Sequence, residues 1–561
     1  GLDGDDTVDY SGLGAGITLL TQGQIAKGPS LSGDTIIGDL GTDLTTGIET
    51  IIGDASQTNT INGVANGEFV DAGERATFDI DLRDETFTLA STTGFFGPLT
   101  FTIENFSEVV GTVNNDTIKG SNFADVLDGE AGDDFVFGRK GDDNVAGGEG
   151  NDTLRGDSGN DTVSGGAGND KIDGGGNADV LSGGGDNDFI SGKNGEDIID
   201  GGAGDDTLLG NAANDTIIGS TGNDRINGGG RFDTLDYSNL AGSVTLGGSG
   251  DIAKGDVDAA GIGSLGNDQL VGESTAPFTN TIEKIIGNEN FTNTIDGQLN
   301  AAGNGSFVVN LAEEALTVNV STPNVGPFNF QVVNFDNVVG TDNNDSIIGN
   351  ANDNVFGGSA GNDTIDGVNG EGDTIDYTGL GEAITVLPAG LTDNATIDKG
   401  DLGIDEIIDI DTIIADDVVG NLIDGRNEEN AQFEIDLGEG SLTIVLTNVP
   451  TFVPNPLEFT IQNFDQVRGT GSADFITGST DDNTIFGSGG SDIIDGDGGV
   501  NTLDYTDLDV GIVLGGSGDI LKTGLGTDTI LGFNATTTAA AGTIIGSGTQ
   551  TNTISGSLNV D

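Results

Sequence analysis

Gly147-Gly148-Glu149-Gly150-Asn151-Asp152-Thr153-Leu154-Arg155 is one unit of a nine-residue pattern that runs without a slip from Asn115 to Asp236. Its aspartate recurs as Asp116, Asp125, Asp134, Asp143, Asp152, Asp161, Asp170, Asp179, Asp188, Asp197, Asp206, Asp215, Asp224 and Asp233. Two residues after each stands an aliphatic side chain, from Ile118 and Leu127 through to Ile226 and Leu235, and four residues after each but the last stands a glycine. One aliphatic per nine residues cannot build a core unless many copies stack, so the pattern requires a solenoid. The glycines supply turns with positive φ. The spacing predicts a six-residue loop and a three-residue strand per unit, with two units, eighteen residues, per turn. A disordered Gly/Asp-rich linker has no use for such a register.

Aspartates eighteen apart, such as Asp134 and Asp152, then fall on the same side of neighbouring turns, about 4.8 Å apart by strand spacing. Carboxylates that close repel unless a cation lies between them. Hard oxygen ligands and loop carbonyls suit calcium better than magnesium or zinc. Fourteen aspartates give twelve such pairs, hence up to about twelve ions. The unit resembles the calcium-binding nonapeptide of the RTX (repeats-in-toxin) family. That resemblance implies an all-β fold, a parallel β-roll or β-solenoid with calcium-binding turns, and calcium as the cofactor.

Seventeen basic residues stand against 93 acidic ones, a net charge of −76. A chain this acidic repels nucleic acid and anionic membranes, so neither nucleic-acid binding nor membrane insertion is expected. About twelve calcium ions would still leave roughly −52. There is no Cys, His, Met or Trp. Disulfides, His- or Cys-ligated metals, Ser-His-Asp and Cys-His catalysis and HExxH zinc chemistry are thereby excluded. Carboxylate pairs of the glycosidase kind stay formally open, but among 93 acids they arise by chance. No enzyme is expected. No apolar run is long enough to span a membrane, and no signal peptide is recognisable after Gly1. RTX-like proteins typically leave through type I secretion, so an extracellular or cell-surface location is implied by resemblance.

A larger repeat lies above the nonapeptide. Asp6-Thr7-Val8-Asp9-Tyr10-Ser11, Asp233-Thr234-Leu235-Asp236-Tyr237-Ser238, Asp373-Thr374-Ile375-Asp376-Tyr377-Thr378 and Asn501-Thr502-Leu503-Asp504-Tyr505-Thr506 contain all four tyrosines. Each leads to an aliphatic stretch and then Lys27-Gly28, Lys254-Gly255, Lys399-Gly400 or Lys522-Thr523-Gly524. Similar passages interrupt the RTX domains of serralysin-like proteases. Degenerate turns follow, in which Asn59, Asn293, Asn421 or Asn552 stands where the aspartate would. Asparagine keeps the hydrogen bonding and removes the charge, so these turns are expected to hold without calcium, by packing and amide contacts; weak ligation through carbonyls is the alternative.

Next come stretches poorer in glycine that alternate at the strand period. They are Phe78-Ile80-Leu82, Phe87-Leu89 and Leu99-Phe101-Ile103, and equivalents near Phe307–Val332 and Phe433–Ile461. They predict small antiparallel wings beside the solenoid, as flank covers or docking surfaces. Val109, Val338 and Val467 lead back into register, and the later arrays offer Asp345 with Asp363, and Asp474 with Asp492, as further calcium ligands. The modules expected are 1–232 (wing about 64–105, long β-roll 115–236), 233–372, 373–500 and 501–561, with both ends reading as cut from a continuing pattern.

The expectation for function is a secreted, calcium-stiffened structural protein: a filament, a surface coat of the S-layer kind, or an adhesin stalk. Its expected partners are copies of itself and cell-surface polysaccharide. The alternative is the secretion and stability region of a larger enzyme or toxin. Ice binding through aligned threonines is disfavoured, because Lys171, Val180, Phe189 and Ile198 interrupt the row. The Asn-Asp-Thr triplets match glycosylation sequons but follow from the loop consensus.

Overall fold

A computed structural model describes residues 7–13, 17–20, 24–27, 34–35, 50–63, 76–91, 98–247, 250–255, 264–271, 281–299, 305–320, 327–368, 372–388, 394–418, 420–426, 431–446, 456–515, 519–531 and 542–555. The Lys27 side chain, Gly28 and parts of the expected first wing, 64–75 and 92–97, lie outside the described residues. The described elements are strands and two short 3-10 turns. Two compact units are present: Gly1–Thr245 with Gly250–Phe291, and Leu246–Ser249 with Thr292–Asp561.

In the first unit the nonapeptides coil into two parallel sheets. Phe135–Lys140, Thr153–Ser158, Lys171–Gly176, Phe189–Asn194, Thr207–Ala212 and Arg225–Gly230 make one, each but the last paired with the strand eighteen residues on. Asn144–Glu149, Thr162–Ala167, Val180–Gly185 and Ile198–Ala203 belong to the other. All fourteen aliphatics of the register are at most 1% exposed. In-register rows such as Val136, Leu154, Ile172 and Ile190 therefore form the core, which only stacking completes. The strands are six residues long here, where the spacing predicts three. Pairing resumes beyond the glycine, as Arg139 with Asp157 and Lys140 with Ser158, because successive loops share one shape and their backbones also stack.

The alternating segments are strands as expected, but they do not sit beside the solenoid. In the first unit Ala76–Asp81, Thr86–Ser91 and Leu99–Glu104 form an antiparallel meander. Its outer strands pair in parallel with solenoid strands, Ile80 opposite Ile118 and Ile103 opposite Ile51. The meander is thus spliced into the sheet. The reason is that its apolar face carries the same inward residues as a nonapeptide row, so it extends the core: Phe78, Ile80, Phe87 and Leu89 are buried. Phe87 packs edge-on against Phe78 at 4.9 Å and stacks on Phe101 at 5.6 Å. Arg139 grips Asp81 through both guanidinium nitrogens, at 2.6 and 2.7 Å. In the second unit Ala431–Asp436, Ser441–Leu446 and Leu457–Gln462 repeat the splice, with Ile435 opposite Ile476 and Ile413 opposite Ile461. Gly305–Asn310, Ala315–Val320 and Phe328–Val333 form a third meander.

The tyrosine motifs lead into further meanders that the sequence reading did not resolve. In the second unit these are Thr385–Pro388, Asn394–Asp398 and Ile404–Ile408, and then Ile512–Gly515, Ile520–Lys522 and Gly526–Leu531. Each again joins the parallel sheet at its outer strands, Ile407 opposite Ile365 and Ile530 opposite Ile494.

If the first meander is part of the core, Phe87→Ala should cost about 3–5 kcal/mol. A thermal unfolding scan of the calcium-loaded protein checks this. An unchanged midpoint would mean that the meander is only an appendage.

Candidate metal centres along the aspartate columns

All eighteen aspartates singled out by the register are buried, none more than 4% exposed. Burial follows from the solenoid, since each side chain turns inward just before its core aliphatic. The backbone N–H of each but Asp233 donates to Oδ1 of the next aspartate in its column, while that of Asp233 donates to Glu283 Oε2 at 2.7 Å. Asp116 pairs so with Asp134, Asp134 with Asp152, Asp152 with Asp170, Asp170 with Asp188, Asp188 with Asp206 and Asp206 with Asp224, at 2.6–3.0 Å. The other column links Asp125, Asp143, Asp161, Asp179, Asp197, Asp215 and Asp233 in the same way. Asp345 pairs with Asp363, and Asp474 with Asp492. The register glycines make room for this: a Cβ on Gly147 would overlap Asp152 Oδ2.

The second carboxylate oxygen divides the eighteen into two groups. In Asp134, Asp143, Asp152, Asp161, Asp170, Asp179, Asp188, Asp197, Asp206, Asp215 and Asp233, Oδ2 is buried without a hydrogen-bond partner. In each of these the residue four positions earlier has positive φ, whether glycine, as at Gly148, or Glu130, Arg139, Asp157, Lys193 and Asn211. In the other seven that residue is a serine or threonine. The backbone N–H of Thr112, Ser121, Thr341 and Thr470 donates to Oδ2 of Asp116, Asp125, Asp345 and Asp474 at 2.5–2.7 Å. The hydroxyls of Ser220, Ser359 and Ser488 reach Asp224, Asp363 and Asp492 at 3.0–3.3 Å. Asp373, which the nine-residue register passes over, also has an unpaired buried Oδ2. It lies nineteen residues from Asn354, whose N–H it accepts.

The asparagine turns solve the same problem internally. Asn59 Oδ1 accepts the N–H of Ile17, while its Nδ2 donates to the carbonyls of Asp54, Gln57 and Asn105. Asn421 does the same with Ile384, Asp416, Val418 and Asn463. These are the amide contacts expected of calcium-free turns. They also show that the carbonyl five residues before the column position faces inward, toward a donor. In an array loop that carbonyl belongs to the register glycine, such as Gly147 before Asp152.

A buried carboxylate oxygen with no donor is costly, and it is what a hard cation resolves. Among the described residues no cluster of three or more acidic side chains gathers at one point, so an ion held here would need backbone carbonyls beside the aspartates. The donor set is oxygen throughout, which fits calcium. The family model for the RTX calcium-binding nonapeptide repeat matches residues 110–145, 137–172, 146–181, 173–208, 200–235, 334–371 and 468–503. These stretches are RTX nonapeptide repeats, and the chain is a calcium-binding protein that takes up several ions through them. No curated protein matches the chain. No described helix is long and apolar enough to cross a membrane, which says nothing about strands.

Without a cation, burial pushes these carboxyls up, opposed by the backbone hydrogen bond each accepts and reinforced by its charged neighbours. Asp134, Asp143, Asp179, Asp188 and Asp215 rise from 3.8 to about 7. Asp170 and Asp206 rise to about 6. The folded, calcium-free chain therefore holds protons that the unfolded chain has released, so its stability should rise as pH falls from about 7 toward about 4. Protons should therefore stand in for part of the calcium requirement. Circular dichroism in EDTA should gain β signal as the pH is lowered from 8 to 5. A spectrum unchanged over that range would contradict these protonation states.

Proposed function

We propose that the protein is a secreted structural element, a calcium-stiffened filament, surface coat or adhesin stalk, that folds on meeting calcium outside the cell. What supports this reading is repetition of one architecture: stacked turns, spliced meanders and tyrosine turns recur with the same contacts along both units. The calcium sites proposed are the unpaired Oδ2 positions of the long array. Asp134 to Asp206 offer four intervals in one column, and Asp143 to Asp233 offer five in the other, so about nine ions bind tightly rather than about twelve. Asp116, Asp345 and Asp474, both of whose oxygens already accept N–H groups, contribute less; Asp125 keeps a buried Oδ1 without a partner.

Calcium coupling gives the fold its switch. At free calcium ten times Kd each site adds about 1.4 kcal/mol, set against the ordering of 99 glycines and a net charge of −76. The array should be disordered by circular dichroism in EDTA and β-rich with calcium, with about nine ions retained after gel filtration. Electron microscopy of the calcium-loaded protein should show filaments or sheets. Monodisperse single particles, together with a precursor carrying a separate globular domain rich in His and Trp, would instead make this the secretory region of an enzyme or toxin.

A further inference from the structure

Among the described residues three lysines are buried completely: Lys254, Lys399 and Lys522. Each sits on a tyrosine-turn meander and points into an aspartate column. Lys254 Nζ lies 3.1 Å from Asp224 Oδ2, in contact with Asp268 Oδ1, and donates to the Ser220 carbonyl at 2.6 Å. Lys522 Nζ lies 2.9 Å from Asp492 Oδ2 and 2.5 Å from Asp528 Oδ1, and donates to the Ser488 carbonyl at 2.8 Å. Lys399 bridges Asp363, at 3.4 Å, and Asp405. The far oxygen of Asp268, Asp405 or Asp528 accepts the hydroxyl of Tyr237, Tyr377 or Tyr505. The tyrosine ring fits against a bare glycine, Gly219, Gly358 or Gly487, where a Cβ would overlap it.

The position of the second carboxylate identifies the arrangement. Asp268 Oδ1 accepts the N–H of Asp224, Asp405 that of Asp363, and Asp528 that of Asp492, at 3.0–3.1 Å. This is the bond that joins successive aspartates in the array. Asp268, Asp405 and Asp528 are therefore the next members of their columns, displaced in sequence by the inserted strands. The ammonium lies between two consecutive column carboxylates, and in two cases also on a backbone carbonyl. It sits where the array leaves Oδ2 unpaired.

We propose that Lys254, Lys399 and Lys522 are built-in cations that take the place of calcium, so that the turns they hold stay folded without the ion. The inference rests on the calcium reading of the array. It assigns Asp224, Asp363 and Asp492 to ammonium clasps rather than to calcium. A clasp of fixed charge cannot be removed by chelation or exported without its counter-ion. Each therefore gives a meander a calcium-independent anchor.

Hydrogen exchange on the full chain tests this. In EDTA the amides of Asp363 and Asp492 should keep the protection they have in calcium, while those of Asp152 and Asp170 lose theirs. In Lys399→Met the Asp363 amide should exchange at least about a hundredfold faster in EDTA, as expected when a buried carboxylate pair loses its counter-charge. Millimolar calcium should restore its protection. Loss of Asp363 and Asp492 protection in the wild-type chain on adding EDTA would overturn the proposal. So would a Lys399→Met chain whose Asp363 amide is unchanged, or accelerated but indifferent to calcium. The Asp152 and Asp170 amides report separately on the array: if they ignore EDTA, the calcium reading fails whatever the lysine does.

Discussion

Every part of this protein answers one electrostatic constraint. A solenoid turn with a single aliphatic needs a second inward group to fix its loop, and here that group is a carboxylate. In all the register aspartates but Asp125, one oxygen accepts an amide from the neighbouring strand or turn. The other, buried and charged, has to be met by something, because isolated buried charge is far more expensive than the packing around it can offset. What meets it decides the character of each turn.

The chain uses several answers. Where the residue four before the aspartate takes positive φ, as at Gly148 or Asn211, Oδ2 is left buried without a donor. Where that residue is Thr112, Thr341 or Thr470, an N–H closes the loop on the carboxylate. Asparagine abolishes the charge and uses its own NH₂ on the carbonyls. Lysine brings the positive charge in on a neighbouring strand. These differ in what they make the turn depend on: an orphaned oxygen, as along the long array and at Asp373, calls for an ion, whereas the other three bring their own partner.

Much of this was legible in the residues. The nine-residue step gave the core row from Ile118 to Leu235 and the stacking of the aspartates eighteen apart, because one register sets both; that the aspartates are buried came from the structure. The asparagine turns were legible from the chemistry of the amide. The strands of the phenylalanine-rich meanders were also legible, but their place in the sheet was not, since alternation defines a face and not its neighbours; the meanders after the tyrosine motifs were not. The serine or threonine four residues before seven of the aspartates was visible and unread; its meaning lies in backbone conformation, which composition does not display. Asp268, Asp405 and Asp528 were hidden for a different reason. They follow their column partners by 44, 42 and 36 residues, not eighteen, so the register that found the others passed over them.

The hydrogen bonds between turns also have direction. Inside the array the earlier turn donates its amide and the later turn accepts with Oδ1, as from Asp134 to Asp152. On the outer surface the sense is reversed: Asn151, Asn169, Asn187 and Asp205 each donate an N–H back to the side chain one turn earlier. A stack of these turns is therefore polar. One face offers inner amides and outer side-chain oxygens, and the opposite face offers their complements. Turns added to such a stack match only head to tail, so growth by this bonding has an arrow built into it, set by which atom of each aspartate looks forward along the chain.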